Sequence, residues 1–306
     1  MNANELIMLQ SLPLEIKIAK SKRRIQEWVD YYGVDNVYIS FSGGKDSTVL
    51  LDLVRQVNPN IPAVFIDTGL EYPEIKEFVK TKDNIITLRP KMSFKQVIEK
   101  YGYPMVSKEQ ANYLDDIRTS TPKMRIRRLE GDRQGRFKLS KKWYYLIDAP
   151  FKVSHRCCNI MKKEPAKRYE RETRRVPFIG TLAEESKLRQ QSYLKTGCNA
   201  FNSKRPNSTP LGFWKEQDIL QYIKDNNLEI CSVYGDIVEE DGKLVLTGLQ
   251  RSGCVYCGYA VHLEKEPNRY QRLELTHPQL HEYCMNKLGF KEVCEYMNIP
   301  YTNKEE

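Results

Sequence analysis

A short polar stretch behind a hydrophobic run is the part of this 306-residue sequence best suited to bind an anion. Residues 41–47 read Phe-Ser-Gly-Gly-Lys-Asp-Ser. Two glycines let backbone N–H groups converge on an anion, the helix that starts behind them adds its positive N-terminal end, and Lys45 adds a full charge. The stretch therefore predicts a phosphate or sulfate site. It matches neither the GxxxxGKS/T nor the GxGxxG pattern, which argues against the usual kinase-type and dinucleotide sites.

Eight cysteines are the second group of residues that could do chemistry. Cys254 and Cys257 are separated by two residues, a spacing that lets two thiolates bind one metal centre, and Cys157 and Cys158 are adjacent. Because adjacent side chains point in different directions, Cys198 is an alternative ligand in place of one of that pair. The two pairs together predict a metal centre held by four thiolates.

Zinc is one candidate for that centre, with His262, five residues after Cys257, as a fourth ligand. Buried thiols without a metal are the remaining alternative. The other three cysteines have the neighbours of ordinary helices or strands. We therefore expect core or surface roles for Cys231, Cys284 and Cys294.

The composition, with 40% hydrophobic and 29% charged residues, is that of a globular protein and excludes disordered, collagen-like and small disulfide-rich classes. The apolar stretch 6–14 is interrupted by Gln10 and Pro13, so it fits neither a signal peptide nor a membrane span. We therefore expect a soluble, cytoplasmic protein without a membrane partner. Thiols stay reduced in that compartment, which favours metal ligands over disulfides.

Most of the net charge of +9 comes from one segment. Residues 118–142 hold ten basic residues against two acidic ones, a local balance of +8. Phe137 and Trp143 accompany the cations, and such a mixture suits nucleic-acid backbones. A solvated loop, or arginines that face a bound nucleotide, are the alternatives. Pro122 and Gly131 favour a loop or ribbon over one long helix.

Alternating apolar runs and amphipathic stretches must position these groups. A polar loop between a strand and a helix begins a βαβ unit. The apolar runs and amphipathic stretches that follow alternate as expected for a parallel sheet. The expected strands are Val37–Phe41, Ala63–Asp67, Ile85–Leu88 and 176–180, and the expected helices are 14–32, 48–57, 73–80, 93–101, 215–224 and 278–297.

These elements predict an α/β protein. Residues 1–198 are expected to form a doubly wound parallel sheet with an N-terminal helix and the basic insert. Residues 199–306 are expected to form a mostly helical second domain that carries the CxxC pair. The boundary is placed at the Asn-, Ser- and Pro-rich run Asn199–Pro210, which has the composition of a linker or long loop.

Four ordered motifs resemble those of one family. The stretch Ser-Gly-Gly-Lys-Asp-Ser resembles the PP-loop of the adenine nucleotide α-hydrolase superfamily. Residues 65–74, 155–165 and 179–189 are similar to the second-strand, CC-x3-K-x-E-P and TGxRxxxSxxR motifs of the phosphoadenosine phosphosulfate (PAPS) reductase family. The likeness covers about residues 14–190. It implies the Rossmann-like fold of that superfamily and an enzyme that binds an adenylyl nucleotide.

The resemblance also implies the residues of the nucleotide site. The phosphate or sulfate end would be held by Ser42, Gly43, Gly44, Lys45, Asp46 and Ser47. The remaining positions are Asp67, Thr68 and Gly69 under the nucleotide, Lys162 facing the anionic groups, and Gly180, Thr181, Glu185, Ser186 and Arg189 completing the pocket. The predicted catalytic residues among these are Lys45, Asp46, Lys162 and Arg189.

Two details of this site follow from the residue types. Asp46 or Asp67 could hold Mg²⁺, since carboxylate oxygens are its preferred protein ligands. Leu182 stands where the family commonly has arginine, so one anion contact is either missing or supplied by another cation. The candidates for that contact are Arg189, Lys187 and Arg251.

In the resembled reductases a CC element and a later CxxC hold a 4Fe–4S cluster, which makes such a cluster our first interpretation of the cysteine pairs. Sulfonucleotide reductases of the family also attack sulfate with a cysteine in a C-terminal ECGIH or ECGLH motif. This sequence contains neither string. Its nearest candidates are Cys284 and Cys294, so the sequence disfavours reduction.

The leading hypothesis is an enzyme that binds ATP or an adenylyl sulfate with Mg²⁺, transfers the adenylyl group and uses the cluster in sulfur handling. A thiol-dependent sulfonucleotide reductase and a nucleic-acid-binding module with a regulatory nucleotide site are the alternatives. The chain is also similar to the sulfur-inserting enzyme of DNA phosphorothioation, and other superfamily members activate tRNA. Analogy therefore suggests tRNA or DNA as a partner of Arg118–Lys142, and a cysteine desulfurase or thiol donor as a further partner.

Overall fold

The computed structural model describes residues 2–303. Two compact units alternate along the chain. The first comprises the chain up to Asp67, Glu71–Arg89 and Pro165–Ser252, and the second comprises Thr68–Leu70, Pro90–Glu164 and the chain from Gly253 onward. This division differs from the expected one, because residues 198 and 199 both lie inside the first unit.

Short strands and helices build both units. The strands are β1 (Val37–Ser40), β2 (Ala63–Ile66), β3 (Ile85–Leu88), β4 (Met105–Val106), β5 (Val176–Ile179), β6 (Ile237–Glu240), β7 (Lys243–Leu246) and β8 (Gly258–Tyr259). The α-helices are α1 (Ala3–Gln10), α2 (Leu14–Tyr32), α3 (Lys45–Val57), α4 (Pro73–Lys80), α5 (Phe94–Tyr101), α6 (Lys108–Thr119), α7 (Pro122–Glu130), α8 (Glu164–Thr173), α9 (Lys187–Thr196), α10 (Glu216–Asp225), α11 (Arg269–Thr276), α12 (Pro278–Glu282) and α13 (Phe290–Tyr296). Within residues 2–303, no helix combines the length and apolar character that a bilayer span requires.

A parallel sheet in the order β3-β2-β1-β5 is the framework of the first unit. Its strands are rich in Val, Ile and Phe, as expected of parallel strands covered on both faces. The chain moves outward from β1 to β3 and then returns to the other side of β1, which confirms the α/β class and the doubly wound order. Ser40 lies beside Ile179 in the register, so the loops after β1 and β5 start next to each other.

Helix α2 covers the sheet as its amphipathic pattern predicts, with the bounds 14–32 confirmed. Ile25 and Trp28 are fully buried, and the Trp28 ring lies 6.4 Å from that of Phe178 in β5. Each such side chain contributes about 1.5–3 kcal/mol by leaving water. This packing fixes the strand whose carboxyl end reaches the candidate site.

Two expected loops have a different structure. Residues 122–130 form α7, because Thr121 caps the helix, Pro122 takes its first position and Gly131 with φ +94° ends it. The run 199–210 is not a linker. Ser208 is fully buried and exchanges backbone hydrogen bonds with β5, so this run closes the outer edge of the sheet.

In the second unit, segment 103–106 has a neighbour on each side. Tyr103 N–H donates to the Lys152 carbonyl (2.8 Å), and β4 pairs in parallel with β8. The Tyr103 ring also meets Phe290 edge-on, with centroids 5.0 Å apart. The chain that enters Cys157 and the chain that leaves Cys257 are therefore both fixed beside one short segment.

Candidate functional site

The loop 42–47 lies at the carboxyl end of β1 and turns directly into α3, which begins at Lys45 rather than at the expected residue 48. Gly43 has φ +71°, and a Cβ there would lie 2.8 Å from Ile75 Cγ2. Only glycine therefore fits this turn without strain. Ser47 Oγ donates to the Gly44 carbonyl (2.8 Å) and accepts from the Ser42 N–H (3.2 Å). These bonds hold the loop as a closed turn at the helix N-terminus.

Lys45 is a buried cation in the first turn of α3, with 3% of its surface exposed. Its Nζ lies 3.1 Å from Glu216 Oε1, 3.2 Å from the Gln250 carbonyl oxygen and 3.7 Å from Asp46 Oδ1. Its backbone N–H donates to the Tyr234 hydroxyl (3.3 Å). A buried ammonium surrounded by acceptors can exchange one of them for an anionic ligand at little cost in desolvation.

Asp46 carries a buried oxygen, Oδ1, that has no hydrogen-bond partner in the described part of the chain. Burial raises the pKa of Asp46, and this effect outweighs the lowering by Lys45. Arg251 and Arg189 lower the pKa by smaller amounts. A cation or a hydrogen-bond donor on a ligand would satisfy Oδ1, so the residue fits the expected Mg²⁺ ligand.

The loop after β5 approaches the loop after β1, as the strand register requires. A Cβ on Gly180 would lie 3.0 Å from the Asp46 carbonyl oxygen, so glycine permits the close contact. Glu185 Oε2 accepts from the Leu182 N–H (3.0 Å). Ser186 caps α9 by accepting from the Arg189 N–H (3.3 Å). The structure thus brings the first and fourth sequence motifs together in the first unit.

Two arginines near Asp46 supply the positive charge that Leu182 lacks. Leu182 is buried in the core with 2% exposed. Arg189 pairs with Glu185, and Arg251 Nη1 lies 3.7 Å from Glu185 Oε1. Burial, and then the charge of Arg251, lowers the pKa of Arg189. A cluster of positive charge beside Asp46 is therefore present without an arginine at position 182.

The second-strand motif is divided between the units. Asp67 follows β2 in the first unit and lies 2.8 Å from Lys76 Nζ and 3.5 Å from Arg89 Nε. Thr68 and Gly69 belong to the second unit. Because two cations already hold the Asp67 carboxylate, Asp46 is the better of the two expected Mg²⁺ ligands.

The second unit brings the two cysteine pairs together. Cys157 and Cys158 precede the π-helical turn Asn159–Lys163, and Cys254 and Cys257 lead into β8. None of the four forms a disulfide. The hydrogen bond with Cys158 and burial raise the pKa of Cys157, and the charges of Cys158, Cys254 and Cys257 raise it further.

The surroundings of the thiols favour a thiolate at Cys158. A hydrogen bond from Cys157, followed by the charges of Lys108 and Lys162, lowers the pKa of Cys158 to about 5, although burial opposes this. A deprotonated thiol is the form that binds a metal. The four cysteine thiols therefore have the chemistry required of ligands in a thiolate-bound metal centre. Within residues 2–303, however, no three His, Cys, Asp or Glu side chains are already arranged to hold a metal ion.

The two alternative ligands, Cys198 and His262, have different surroundings. Cys198 belongs to the first unit, where its thiol is hydrogen bonded with the Tyr193 hydroxyl (3.3 Å) and burial raises its pKa. His262, in the second unit, packs edge-on against Trp143 with ring centroids 4.8 Å apart. Burial lowers the pKa of His262. Neither residue has the environment of the four gathered thiols.

The three remaining cysteines are buried, as expected for core residues. Cys231 is 1% exposed, and Cys284 and Cys294 are fully buried. Burial raises the pKa of Cys284 well above its ordinary value and that of Cys294 to about 12. Neither Cys284 nor Cys294 can act as an accessible thiolate in this structure.

Four residues of the site were not predicted from the sequence. The Tyr234 hydroxyl links the Lys45 N–H to Ser252 Oγ, to which it donates (3.1 Å). Glu216 and Gln250 hold the Lys45 ammonium. These residues come from three separate segments without a motif. The only local signal is that residues 250–252 directly precede the CxxC pair.

Comparisons with known proteins identify the family to which this chain is similar. The family model of the phosphoadenosine phosphosulfate reductase domain matches residues 36–133 and 107–258. An uncharacterized protein of Methanocaldococcus jannaschii is 26% identical over 247 residues, which cover 79% of this chain and 44% of that protein. An adenosine 5'-phosphosulfate reductase of Staphylococcus haemolyticus is 24% identical over 220 residues, which cover 68% of this chain and 69% of the reductase. The chain thus spans less than half the length of the archaeal relative.

A solved structure of phosphoadenylyl-sulfate reductase from Candida auris, in complex with phosphate, aligns with a TM-score of 0.41 and 16% sequence identity. The alignment covers 78% of this chain and 96% of that chain.

Proposed function

Because this chain belongs to the phosphoadenosine phosphosulfate reductase domain family, we propose that it is an enzyme of sulfur chemistry that binds an adenylyl nucleotide at the loop 42–47. One observation carries the proposal. The buried ammonium of Lys45 lies 3.7 Å from Asp46 Oδ1, a buried oxygen without a hydrogen-bond partner among residues 2–303, at the point where the strand order reverses. In doubly wound sheets this point is where nucleotides bind.

With ATP as the ligand, we propose adenylyl transfer to an acceptor. The acceptor oxygen would attack the α-phosphorus, the bond to the β-phosphate would break, and pyrophosphate would leave. Lys45 and the N–H groups at the start of α3 would stabilise the charge on the leaving group. Arg189 and Arg251 would neutralise the remaining phosphate charge, and Asp46 would hold Mg²⁺.

We further propose a 4Fe–4S cluster bound by the two cysteine pairs of the second unit. The placement of four cysteines without disulfides in one unit and the low pKa of Cys158 support this. When bound, the cluster would supply electrons or hold sulfur. A cysteine desulfurase or a thiol donor would deliver that sulfur. Zinc with His262 is the alternative occupant.

Reduction of a sulfonucleotide is the second candidate, favoured by the relatives that are named reductases. It needs an accessible thiolate to attack the sulfate sulfur and an external thiol to supply two electrons for sulfite release. Cys284 and Cys294 are both fully buried, which makes this candidate the less favoured one.

Calorimetry with ATP, adenylyl sulfate and PAPS, each with and without Mg²⁺, tests the nucleotide site. We expect Mg²⁺-dependent binding of at least one nucleotide, weakened at least about tenfold in Lys45→Gln by loss of a charge-assisted contact. The exposed Lys80→Gln is the matched control and should bind normally. Arg251→Gln, which removes an exposed side chain, provides a second test in case Lys45→Gln fails to fold. Heat from none of the three nucleotides would refute the site.

Product analysis separates the two reactions. Pyrophosphate release from ATP supports adenylyl transfer. Sulfite release with a thiol donor, abolished by Cys294→Ser, would instead establish reduction.

A further inference from the structure

A strongly positive surface lies on the second unit, in a segment that contributes none of the residues assigned to the nucleotide site. Three of the ten basic residues in 118–142 serve the fold, since Arg118 donates to four backbone carbonyl groups and Arg128 and Arg136 pair with aspartates. The other seven are exposed and have no carboxylate within ion-pair distance among residues 2–303. These seven, which we term the basic surface, are Lys123, Arg125, Arg127, Arg133, Lys138, Lys141 and Lys142.

Helix α7 at the centre of this surface does little for its own unit. It buries none of its side chains, and it carries Lys123, Arg125 and Arg127 together with Ile126, which is 53% exposed. Like charges this close repel one another and destabilise the helix. A polyanionic partner would remove that repulsion and cover the exposed apolar side chain.

Exposed aromatic rings accompany the cations. Phe137 and Tyr145 are each 43% exposed, and Tyr144 is 36% exposed. The Arg127 guanidinium lies 5.1 Å from the centre of the Phe137 ring. The Arg136 guanidinium also lies 5.5 Å from the centre of the Phe137 ring, and the Tyr145 ring stacks on Tyr296 with centroids 5.9 Å apart. The parts of these rings that stay exposed lie beside cations that have no carboxylate partner, and they offer contacts for bases whose phosphates the cations bind.

We propose that the basic surface binds a single-stranded nucleic acid, with the cations on its phosphates and the rings against its bases. Charge complementarity favours a polyanion, and the exposed rings favour one with unpaired bases, since the bases of a duplex are already stacked. Acidic lipid and base-free polyanions lack that second feature. This goes beyond the nucleotide site and does not depend on it.

Fluorescence anisotropy with labelled 20-nucleotide RNA, single-stranded DNA and duplex DNA at several salt concentrations tests the proposal on the full chain. We expect dissociation constants of about 10⁻⁶ to 10⁻⁴ M at physiological salt for the single strands, and weaker binding of the duplex. Lys123→Gln/Arg125→Gln/Arg127→Gln should lower the salt slope by about 2 and weaken binding about a hundredfold at 0.1 M salt. Phe137→Ala should weaken binding at least about fivefold through lost stacking.

A matched triple variant serves as the control. Lys91→Gln/Lys95→Gln/Lys287→Gln removes the same charge from exposed lysines of the same unit outside the segment and should retain binding. Equal losses in both triple variants, or equal affinity for heparin or anionic phosphatidylserine vesicles, would overturn the proposal. Nucleotide calorimetry on the same proteins distinguishes failure of the basic surface from failure of the nucleotide site. Normal nucleotide binding without any oligonucleotide binding would refute only the surface, and the reverse result would refute only the nucleotide site.

Discussion

At the scale of single residues, the proposed nucleotide site depends on buried charges and a strained backbone conformation that lower the stability of the fold. Lys45 and Asp46 are ionisable groups held largely out of water, and Gly43 adopts a left-handed turn. Burial of such groups is unfavourable unless they are paired. Lys45 is paired with Glu216, whereas Asp46 Oδ1 has no hydrogen-bond partner among residues 2–303, so a bound cation or a donor on a ligand would compensate for its burial.

Gly43→Ala should disturb the loop more than the conformational penalty alone predicts. An added Cβ would clash with Ile75 Cγ2 at 2.8 Å, in addition to the left-handed cost of about 1–2 kcal/mol. Gly242→Ala is the matched control, because Gly242 has the same φ of +71° with no atom within 4 Å of the new Cβ. We expect urea denaturation and nucleotide calorimetry to show a larger stability loss and weakened binding only for Gly43→Ala. Equal effects of the two substitutions would contradict the steric account.

Asp46 should make the free protein less stable as the pH rises. Its pKa is raised by burial, so the folded state favours the protonated carboxyl, and this contribution is lost as pH increases from the ordinary value of 3.8 through the raised pKa. Asp46→Asn should therefore be more stable than the native protein at neutral pH, with the difference shrinking under acid, while its Mg²⁺-dependent nucleotide binding falls at least about tenfold. Urea titrations from pH 4 to 8 measure this. A difference independent of pH would contradict the assignment.

At the scale of elements, most chemistry sits where a helix or strand begins or ends. Helix α3 starts in the anion loop, α9 starts at Ser186 beside the same loop, and β8 starts right after Cys257. Side chains at such ends are positioned by a rigid element while their backbone groups stay available. The basic segment shows the same division, because Arg118 binds the carbonyl groups of the turn 146–151 while Arg125 and Arg127 remain on the surface.

Arg118→Met should destabilise the second unit although Arg118 belongs to a charged segment. Its guanidinium donates to the carbonyl groups of residues 146, 147, 149 and 151, at 2.6–3.0 Å. Loss of these charge-assisted bonds leaves several acceptors unsatisfied, and we expect a cost of about 2–4 kcal/mol in the free energy of unfolding. Arg125→Gln, an exposed residue of the same segment, should change stability by less than about 0.5 kcal/mol. Chemical denaturation distinguishes the two, and similar small effects would show that Arg118 is not structural.

At the scale of the whole molecule, each unit is assembled from separate stretches of chain. The first unit gathers its site from residues near 45, 185, 234 and 251, and the second gathers cysteines from residues near 157 and 254. Local sequence cannot create such sites, because their members meet only when the unit has folded. Cysteines that the sequence does not distinguish should therefore differ in whether they bind the metal.

Anaerobic purification followed by iron, sulfide and zinc analysis should find about four irons per chain. Cys158→Ser and Cys254→Ser should each lose the iron, because both thiols belong to the gathered set. Cys198→Ser should keep it, since Cys198 lies in the first unit against Tyr193. One zinc per chain, lost in His262→Gln, would contradict the iron–sulfur cluster and support the alternative zinc site.

The sequence by itself determined the features that depend on neighbouring residues. The apolar runs predicted the sheet strands nearly residue by residue, and the glycine-rich loop between β1 and α3 predicted an anion site, since both follow from local backbone and side-chain preferences. Only the tertiary structure decided that Tyr234 and Gln250 complete the surroundings of Lys45, that Arg251 stands near Asp46, and that β4 and β8 bring Cys157 near Cys257. These contacts join distant parts of the chain. They are set by strand order and core packing, which a local pattern does not contain.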